Sequence, residues 1–209
     1  SNIYIYTKFI AERLILENVA NGKLNATVIR LGNITSRYMD GKFQINVSEN
    51  AFLNRLITFI NLKYLPDYLM DGYLEFSPVD CVAEAISKIV NHNFPYTVLH
   101  LYNNRHVSLA NVLQYLRDYG IEINVVDNQK FLEVISDVLK NNQNILSGII
   151  NDFDENKMLV YKSNVTLNNS FTNEFLNKIG FAWPEITEDY IVKYLDYLKD
   201  INYLKNSEK

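Results

Sequence analysis

Hydrophobic residues recur along the chain with a helical period in some segments and a strand pattern in others. Residues 3–19 place apolar side chains every three or four positions, which predicts an amphipathic helix, and Asn21-Gly22 follows as a left-handed C-terminal cap. The β-branched run 26–31 then stops at Gly32 and predicts a strand that ends in a loop. The chain therefore opens with one step from helix to strand.

The alternation of helix and strand continues to about residue 126. The predicted elements are helices at 51–62, 80–90 and 108–119, strands at 97–102 and 121–126, and a short extended piece at 73–76 after a loop at 64–72. Asp80 and Ser108 are placed to cap two of these helices by accepting backbone N–H bonds. The recurring order of strand, helix and strand predicts an α/β fold for this part.

After residue 128 the pattern becomes mainly helical. Helices are predicted at 131–139, 144–153 and 172–179, and Thr187 is placed to cap a last helix that carries several tyrosines. The polar stretch 151–157 is predicted to be a flexible loop.

The composition excludes several classes of function. Of the 209 residues 48% are hydrophobic and 21% are charged, and the net charge is −4 with scattered basic residues. Nucleic acids and anionic membranes require a concentrated basic surface, so we expect neither as a partner. No stretch approaches the roughly 20 apolar residues of a membrane span. Residues 1–20 lack a signal-peptide layout and Cys81 stands alone, which predicts a cytoplasmic protein.

The sequence motifs of two familiar kinds of site, a zinc site and a nucleotide-phosphate loop, do not occur in this sequence. His92, His100 and His106, with one cysteine, offer no pair at the spacing of a zinc site, so no metal site is expected, and carboxylates that bind Mg²⁺ or Ca²⁺ stay an open alternative. The seven glycines are never closer than nine positions, so neither GxGxxG nor GxxxxGK[ST] occurs. The sequence therefore contains no complete nucleotide-phosphate loop.

Tyr4 and Lys8 form the motif that carries chemistry. They are four residues apart on the first predicted helix, hence on one face and one turn apart. An ammonium beside a phenol favours the phenolate, which helps the hydroxyl to give its proton to the oxyanion of a carbonyl under reduction. Tyr38 and Lys42 repeat the spacing around Gly41 in a predicted loop, and this match is interpreted as chance.

Three short segments together resemble the extended short-chain dehydrogenase/reductase superfamily. They are Tyr4-x-x-x-Lys8-x-x-Ala11-Glu12, Val28-Ile-Arg30-Leu-Gly32-Asn33-Ile34 and Phe76-Ser-Pro78-Val79-Asp80-Cys-Val82-Ala83. The third segment, with Gly180-Phe-Ala-Trp183-Pro184-x-Ile186 before a tyrosine-rich helix, is most similar to one branch. This branch comprises the thioester reductase domains that release products from nonribosomal peptide synthetases and carboxylic acid reductases.

The resemblance implies a reaction and residue roles. Tyr4 would donate the proton and stabilise the oxyanion, while Lys8 would tune Tyr4 and hold the nicotinamide ribose of NADPH. Further cofactor contacts would come from a strand end formed by Arg30, Gly32, Asn33 and Ile34. The substrate would be a peptidyl or aminoacyl thioester on the phosphopantetheine of a peptidyl carrier protein. Its release would yield an aldehyde, which some members reduce again to an alcohol.

The resemblance also implies a fold in two parts. Residues 1–37 and 73–103 would be the C-terminal part of a Rossmann-like parallel sheet, and 38–72 and 104–209 a mainly helical substrate-binding subdomain. Superfamily members carry a cofactor-binding half before the catalytic tyrosine, with a glycine-rich turn and a catalytic Thr or Ser, and this sequence lacks both. The chain is therefore expected to be the C-terminal part of a reductase, with that half as its partner, and inactive alone.

Other interpretations stay open at this point. A nucleotide-sugar epimerase or dehydratase with a tightly held NAD shares the Tyr, Lys and Asp-Val-Ala elements, and a non-catalytic module that docks a carrier protein would need no chemistry. Structural roles are expected for His100 as a satisfied strand residue and for Trp183 in the core, with the last helix packed on its own subdomain. For Arg30 a structural ion pair competes with the cofactor contact.

Overall fold

The computed structural model describes residues 3–92, 96–141, 143–160 and 167–204. Its helices are α1 (Ile3–Ala20), α2 (Ala51–Leu62), α3 (Val79–Val90), α4 (Leu109–Asp118), α5 (Asn128–Asn141), α6 (Ser170–Lys178) and α7 (Glu188–Asp200). Its strands are β1 (Val28–Leu31), β2 (Ile34–Thr35), β3 (Tyr64–Pro66), β4 (Tyr73–Leu74), β5 (Ser77–Pro78), β6 (Val98–Leu101), β7 (Val107–Ser108) and β8 (Asn124–Val126).

The strands pair two by two, and most of the pairs are parallel. Over four residues, β1 runs beside β6, with Leu31 opposite Leu101. The pairs β2 with β5 and β3 with β8 are also parallel, whereas β4 and β7 are antiparallel. Parallel strands connected through helices define an α/β fold, so the predicted fold class is confirmed. The strand β3 lies in the predicted loop 64–72, where three residues without a period become a strand only because β8 pairs with them.

Buried apolar side chains form two clusters. The larger cluster collects residues of α2, α4, α5 and α7, among them Leu53, Phe131 and Leu198. The smaller cluster joins α3, β6 and α6 and contains Trp183, whose indole N–H donates to Oδ1 of Asn173 at 3.0 Å. Trp183 is thus a core residue, as expected. The predicted division of the chain into two parts stays a prediction.

Two predicted helix caps are present and a third is wrong. The hydroxyl of Ser108 accepts the N–H of Asn111 at 3.1 Å, and Thr187 caps α7 in the same way. Asp80 does not cap α3, because that helix begins one residue earlier, at Val79. The Asp80 carboxylate instead has a tertiary role in the segment after β2, described below.

Between α5 and α6, the predicted helix 144–153 is not an α-helix, and the predicted loop 151–157 contains an ordered turn. The predicted helix 144–153 consists of two 3₁₀ turns, Gln143–Leu146 and Ile150–Asp152, because the backbone at Gly148 packs directly against the carbonyl of Asn54 in α2. The loop 151–157 contains a turn in which the Asp154 carboxylate accepts backbone N–H groups at 2.8 and 2.9 Å.

The first helix is confirmed, but its predicted amphipathic stripe is wrong. No side chain of α1 is buried within the described residues, and its apolar side chains point to all sides of the helix. The exposed ones include Ile3, Tyr4, Ile5, Tyr6, Phe9 and Leu14. A helix that is hydrophobic all round is typical of a buried position, whereas α1 is exposed on this chain. No helix in the described part of the chain is long and apolar enough to cross a membrane.

Candidate active site at the carboxyl end of two parallel strands

Tyr4 and Lys8 lie on one face of α1, as their spacing predicted. The ammonium nitrogen of Lys8 is 5.5 Å from the centroid of the Tyr4 ring, within the range of a cation–π contact. The hydroxyl of Thr7 donates to the backbone carbonyl of Tyr4 at 2.9 Å, inside the first turn. Tyr4 is 67% exposed within this chain. The phenol and the ammonium are therefore together and accessible to a ligand.

Arg30 connects β1 to both α1 and β6. Its Nε donates to one carboxylate oxygen of Glu12 at 3.1 Å, its Nη2 donates to the other oxygen, and its Nη1 lies 3.2 Å from Nε2 of His100. The hydrogen bond from Arg30 lowers the pKa of Glu12, and the same bond raises the pKa of Arg30. The structural ion pair considered for Arg30 is thus present, and a contact of Arg30 with a cofactor stays a prediction.

Gly32 and Asn33 form the turn that follows β1. The N–H of Gly32 donates to the carbonyl of Leu101 at 3.1 Å, which extends the pairing of β1 with β6 by one residue. A side-chain carbon on Gly32 would lie 2.5 Å from Cβ of Tyr102 and 2.7 Å from Oε2 of Glu75. Only glycine fits at this position, because real Cβ atoms do not approach other atoms so closely. Ile34, the next predicted contact residue, begins β2 and packs on the smaller cluster.

Glu75 is a residue of this region that the sequence patterns did not single out. Its Oε2 accepts the backbone N–H of Asn33 at 2.6 Å, and its Oε1 accepts the hydroxyl of Ser77. Burial raises the pKa of Glu75. The feature of the sequence that could have identified Glu75 is its place as an acidic residue between two apolar ones, Leu74 and Phe76, which are both buried in the structure.

The segment after β2 is held from two sides. The Asp80 carboxylate accepts the backbone N–H groups of Tyr38 at 2.8 Å and Met39 at 3.2 Å. From α7, the hydroxyl of Tyr190 lies 2.8 Å from Oγ1 of Thr35, and its ring stacks on Tyr38 with centroids 5.4 Å apart. The tyrosines of the last helix therefore pack on other segments of this chain, and Tyr190 contacts Thr35, which lies outside the predicted subdomain of the helix.

The assembled groups can donate a proton and can hold the polar groups of a ligand. They fit the nicotinamide end of a dinucleotide, because a phenol, an ammonium and a close-packed glycine turn are present. They do not fit its phosphates, since the glycine-rich turn that binds a pyrophosphate does not occur in the sequence. Among the described residues, no group of three or more His, Cys, Asp or Glu side chains could hold a metal ion.

The sequence matches one family model over part of its length. Residues 1–86 match the NAD-binding family described as male sterility protein. This segment contains Tyr4, Lys8, β1 and the turn at Gly32. No curated protein sequence matches the chain.

Solved structures of synthetase reductase domains share the fold of nearly the whole chain. A thiolation-reductase di-domain from an archaeal non-ribosomal peptide synthetase superposes with a TM-score of 0.81 and 31% identity, covering 97% of this chain and 41% of the di-domain. The aureusimine biosynthetic cluster reductase domain gives a TM-score of 0.75 and 25% identity, covering 95% of this chain and 50% of the other.

A third structure supports the fold alone. The terminal R domain from the myxalamid PKS-NRPS pathway has a TM-score of 0.77 and 22% identity, covering 96% of this chain and 50% of that domain. This chain spans half or less of the length of these three proteins.

Proposed function

We propose that this chain, a member of the extended short-chain dehydrogenase/reductase superfamily, is part of an NADPH-dependent reductase that releases a carrier-bound peptidyl or aminoacyl thioester as an aldehyde. The observation that carries the proposal is the Tyr4–Lys8 pair at the start of α1, beside the parallel pair of β1 and β6. The 31% identity with a synthetase reductase over 97% of the chain supports it.

The contact between Glu12 and Arg30 supports a position of the pair near the turn after β1. Lys8 lies one turn before Glu12, about 6 Å along the helix axis. Gly32 lies two residues after Arg30, about 7 Å along the strand. If α1 runs antiparallel to β1, as helices do beside the parallel strands that they connect, Lys8 would be level with Gly32 and Tyr4 one turn beyond. Ligands of parallel α/β sheets bind at this carboxyl end of the strands.

Several residues of this chain would have separate roles in the reduction. When bound, NADPH supplies the hydride. Tyr4 donates its hydroxyl proton to the oxygen of the thioester carbonyl, and the Lys8 ammonium stabilises the phenolate that remains. The resulting hemithioacetal then breaks its carbon–sulfur bond, its hydroxyl proton passes to the phosphopantetheine sulfur, and the thiol and the aldehyde separate. Gly32, Asn33 and Ile34 hold the nicotinamide end at the strand edge, and Lys8 also binds its ribose.

The exposed surface of α1 supports the proposal that further polypeptide completes the enzyme. Apolar side chains are exposed on all sides of α1, and large exposed apolar surfaces on soluble proteins usually mark interaction sites. We assign this surface to the cofactor-binding half, which would also supply the phosphate-binding turn. Residues 1–209 are then inactive alone. Residues 38–72 and 104–209 would face the substrate, which a peptidyl carrier protein presents on its phosphopantetheine.

The test is Tyr4→Phe in the whole reductase, assayed as NADPH oxidation with an acyl-phosphopantetheine thioester. Loss of the proton donor should lower kcat by about 100-fold or more, the usual contribution of a general acid. The dissociation constant for NADPH should change little, because the hydroxyl acts on the substrate. Tyr6→Phe is the matched control, since Tyr6 is exposed on the same helix but occupies a variable position of the motif.

The outcomes separate the functions considered. Equal rates for wild type and Tyr4→Phe would refute the role of Tyr4. A protein that retains NAD and consumes no NADPH with any thioester would instead be the epimerase or dehydratase. Binding of a carrier protein without any redox activity would indicate the docking module.

A further inference from the structure

A polar network at the ends of β1 and β6 centres on Glu75. Its carboxylate accepts the N–H of Asn33 at 2.6 Å through Oε2 and the hydroxyl of Ser77 through Oε1. The hydroxyl oxygen of Ser77 in turn accepts the N–H of Asn103 at 3.0 Å. Ser77 and Asn103 have no exposed surface. One carboxylate thus connects the residues at the ends of β1, β5 and β6.

Asn33 is held by this network at three of its polar groups. Besides its N–H bond to the carboxylate, its carbonyl accepts the N–H of Ser77 at 3.0 Å. Its side-chain amide donates to the backbone carbonyl of Glu75 at 3.3 Å. The turn after β1 therefore takes its shape from residues about 42 positions later in the chain.

The chemistry of a carboxylate suits this place. Two donors, the N–H of Asn33 and the O–H of Ser77, converge on the group, and an ionised carboxylate accepts both because it has no hydrogen of its own. An amide in the same position would meet one of them with its NH₂. Gly32 lets the carboxylate approach the turn, since a Cβ there would lie 2.7 Å from Oε2. Burial opposes the charge and raises the pKa of Glu75, so an acid is not the residue that packing alone favours.

We infer that Glu75 is a positioning residue, which holds the Gly32–Asn33 turn in the shape that receives the nicotinamide end of the cofactor. The inference rests on the proposed function, because that function assigns the cofactor to this turn. Glu75 acts through Asn33 and takes no part in proton or hydride transfer.

The inference is tested with Glu75→Ala in the whole reductase. Loss of the acceptor should raise the KM for NADPH and its dissociation constant by about tenfold, the effect of one hydrogen bond, and should change kcat by less than about threefold. Amide hydrogen exchange in a peptide covering residues 30–36 should accelerate by a similar factor. Glu75→Gln keeps one acceptor and should restore part of both properties, which a change in packing alone would not do.

The matched control is Glu185→Ala, because Glu185 is a neighbouring exposed acid whose carboxylate pairs with Arg105 at 3.1 Å and is not bonded to the turn. This variant should retain the wild-type KM and exchange rate. If Glu75→Ala fails to fold, Glu75→Gln compared with Glu75→Asp, whose shorter side chain withdraws the acceptor, gives the same comparison.

The result separates this inference from the proposed function. Wild type that binds NADPH but does not reduce the thioester refutes the function alone, and the dissociation constants still test Glu75. An unchanged NADPH affinity in Glu75→Ala, or unchanged exchange at residues 30–36, overturns the inference. Wild type that binds no nicotinamide nucleotide overturns both.

Discussion

Tyr190 and Tyr194 lie one turn apart on α7, and both are buried, yet their hydroxyls have different surroundings. The hydroxyl of Tyr190 is bonded to Thr35 at 2.8 Å and to the carbonyl of Ser36 at 3.1 Å. The hydroxyl of Tyr194 has no hydrogen-bond partner among the described residues. Burial raises the pKa of both phenols. An unpaired buried hydroxyl costs stability, whereas a paired one contributes to it.

We expect Tyr194→Phe to keep the free energy of unfolding or to raise it by about 1 kcal/mol, since the lost hydroxyl has no bond to replace. Tyr190→Phe should lower it by about 1–3 kcal/mol, because Thr35 and Ser36 lose a buried partner. Denaturant unfolding of the two variants checks the difference. A similar loss in both would mean that Tyr194 has a partner too.

At the scale of elements, the connection between β2 and α2 is shaped by its contact with α7. Gly41 has a φ of +72° and its N–H donates to the carbonyl of Arg37 at 2.9 Å. A Cβ on Gly41 would overlap the backbone carbonyl of Lys193. This glycine is thus required by both its dihedral angle and its contact, whereas Gly120 at the end of α4 has a positive φ but open space around it.

Gly41→Ala should therefore lower the free energy of unfolding by about 3 kcal/mol or more, because the connection must leave α7 to admit the methyl group. Gly120→Ala should cost only about 1 kcal/mol, the strain of the dihedral angle alone. Thermal or denaturant unfolding gives both values. Equal effects would show that the contact with α7 adds nothing.

At the scale of the whole molecule, the contacts between α1 and the rest of the chain decide how far the stability depends on this helix. Its contact through Glu12 and Arg30 is a partly exposed ion pair, which contributes at most about 1 kcal/mol. Neither apolar cluster contains a residue of α1. The two apolar clusters therefore form without a side chain of the helix that carries Tyr4 and Lys8.

Removal of residues 1–22 from the 209-residue chain should lower the free energy of unfolding by no more than about 2 kcal/mol, since none of the described side chains in this segment is buried. It should also reduce self-association and the binding of hydrophobic dyes, because the exposed apolar surface is lost. Size-exclusion chromatography and dye fluorescence measure these effects. Phe9→Gln with Leu14→Gln is the control that reduces the apolar surface but keeps the helix, and it should lower self-association and dye binding in part. A chain that unfolds on truncation would contradict the prediction.

Much of the fold, and the Tyr4–Lys8 pair of the candidate site, follow from local patterns. Tyr4 and Lys8 were found because residues four apart on a helix share a face whatever surrounds the helix. The positions of α2, α4 and β6 follow from short periods and caps for the same reason. The catalytic roles of Tyr4 and Lys8 stay predictions.

Only the tertiary structure decided the contacts between distant residues. Asp80 binds the backbone at Tyr38 instead of capping α3, the three residues of β3 form a strand because β8 lies beside them, and Glu75 meets Asn33 across 42 positions. The sequence by itself determined the α/β class and the shared helix face of Tyr4 and Lys8, because these depend on residues within a turn or a strand of each other. Which buried donor meets which acceptor depends on the packing of whole elements, and no local period encodes it.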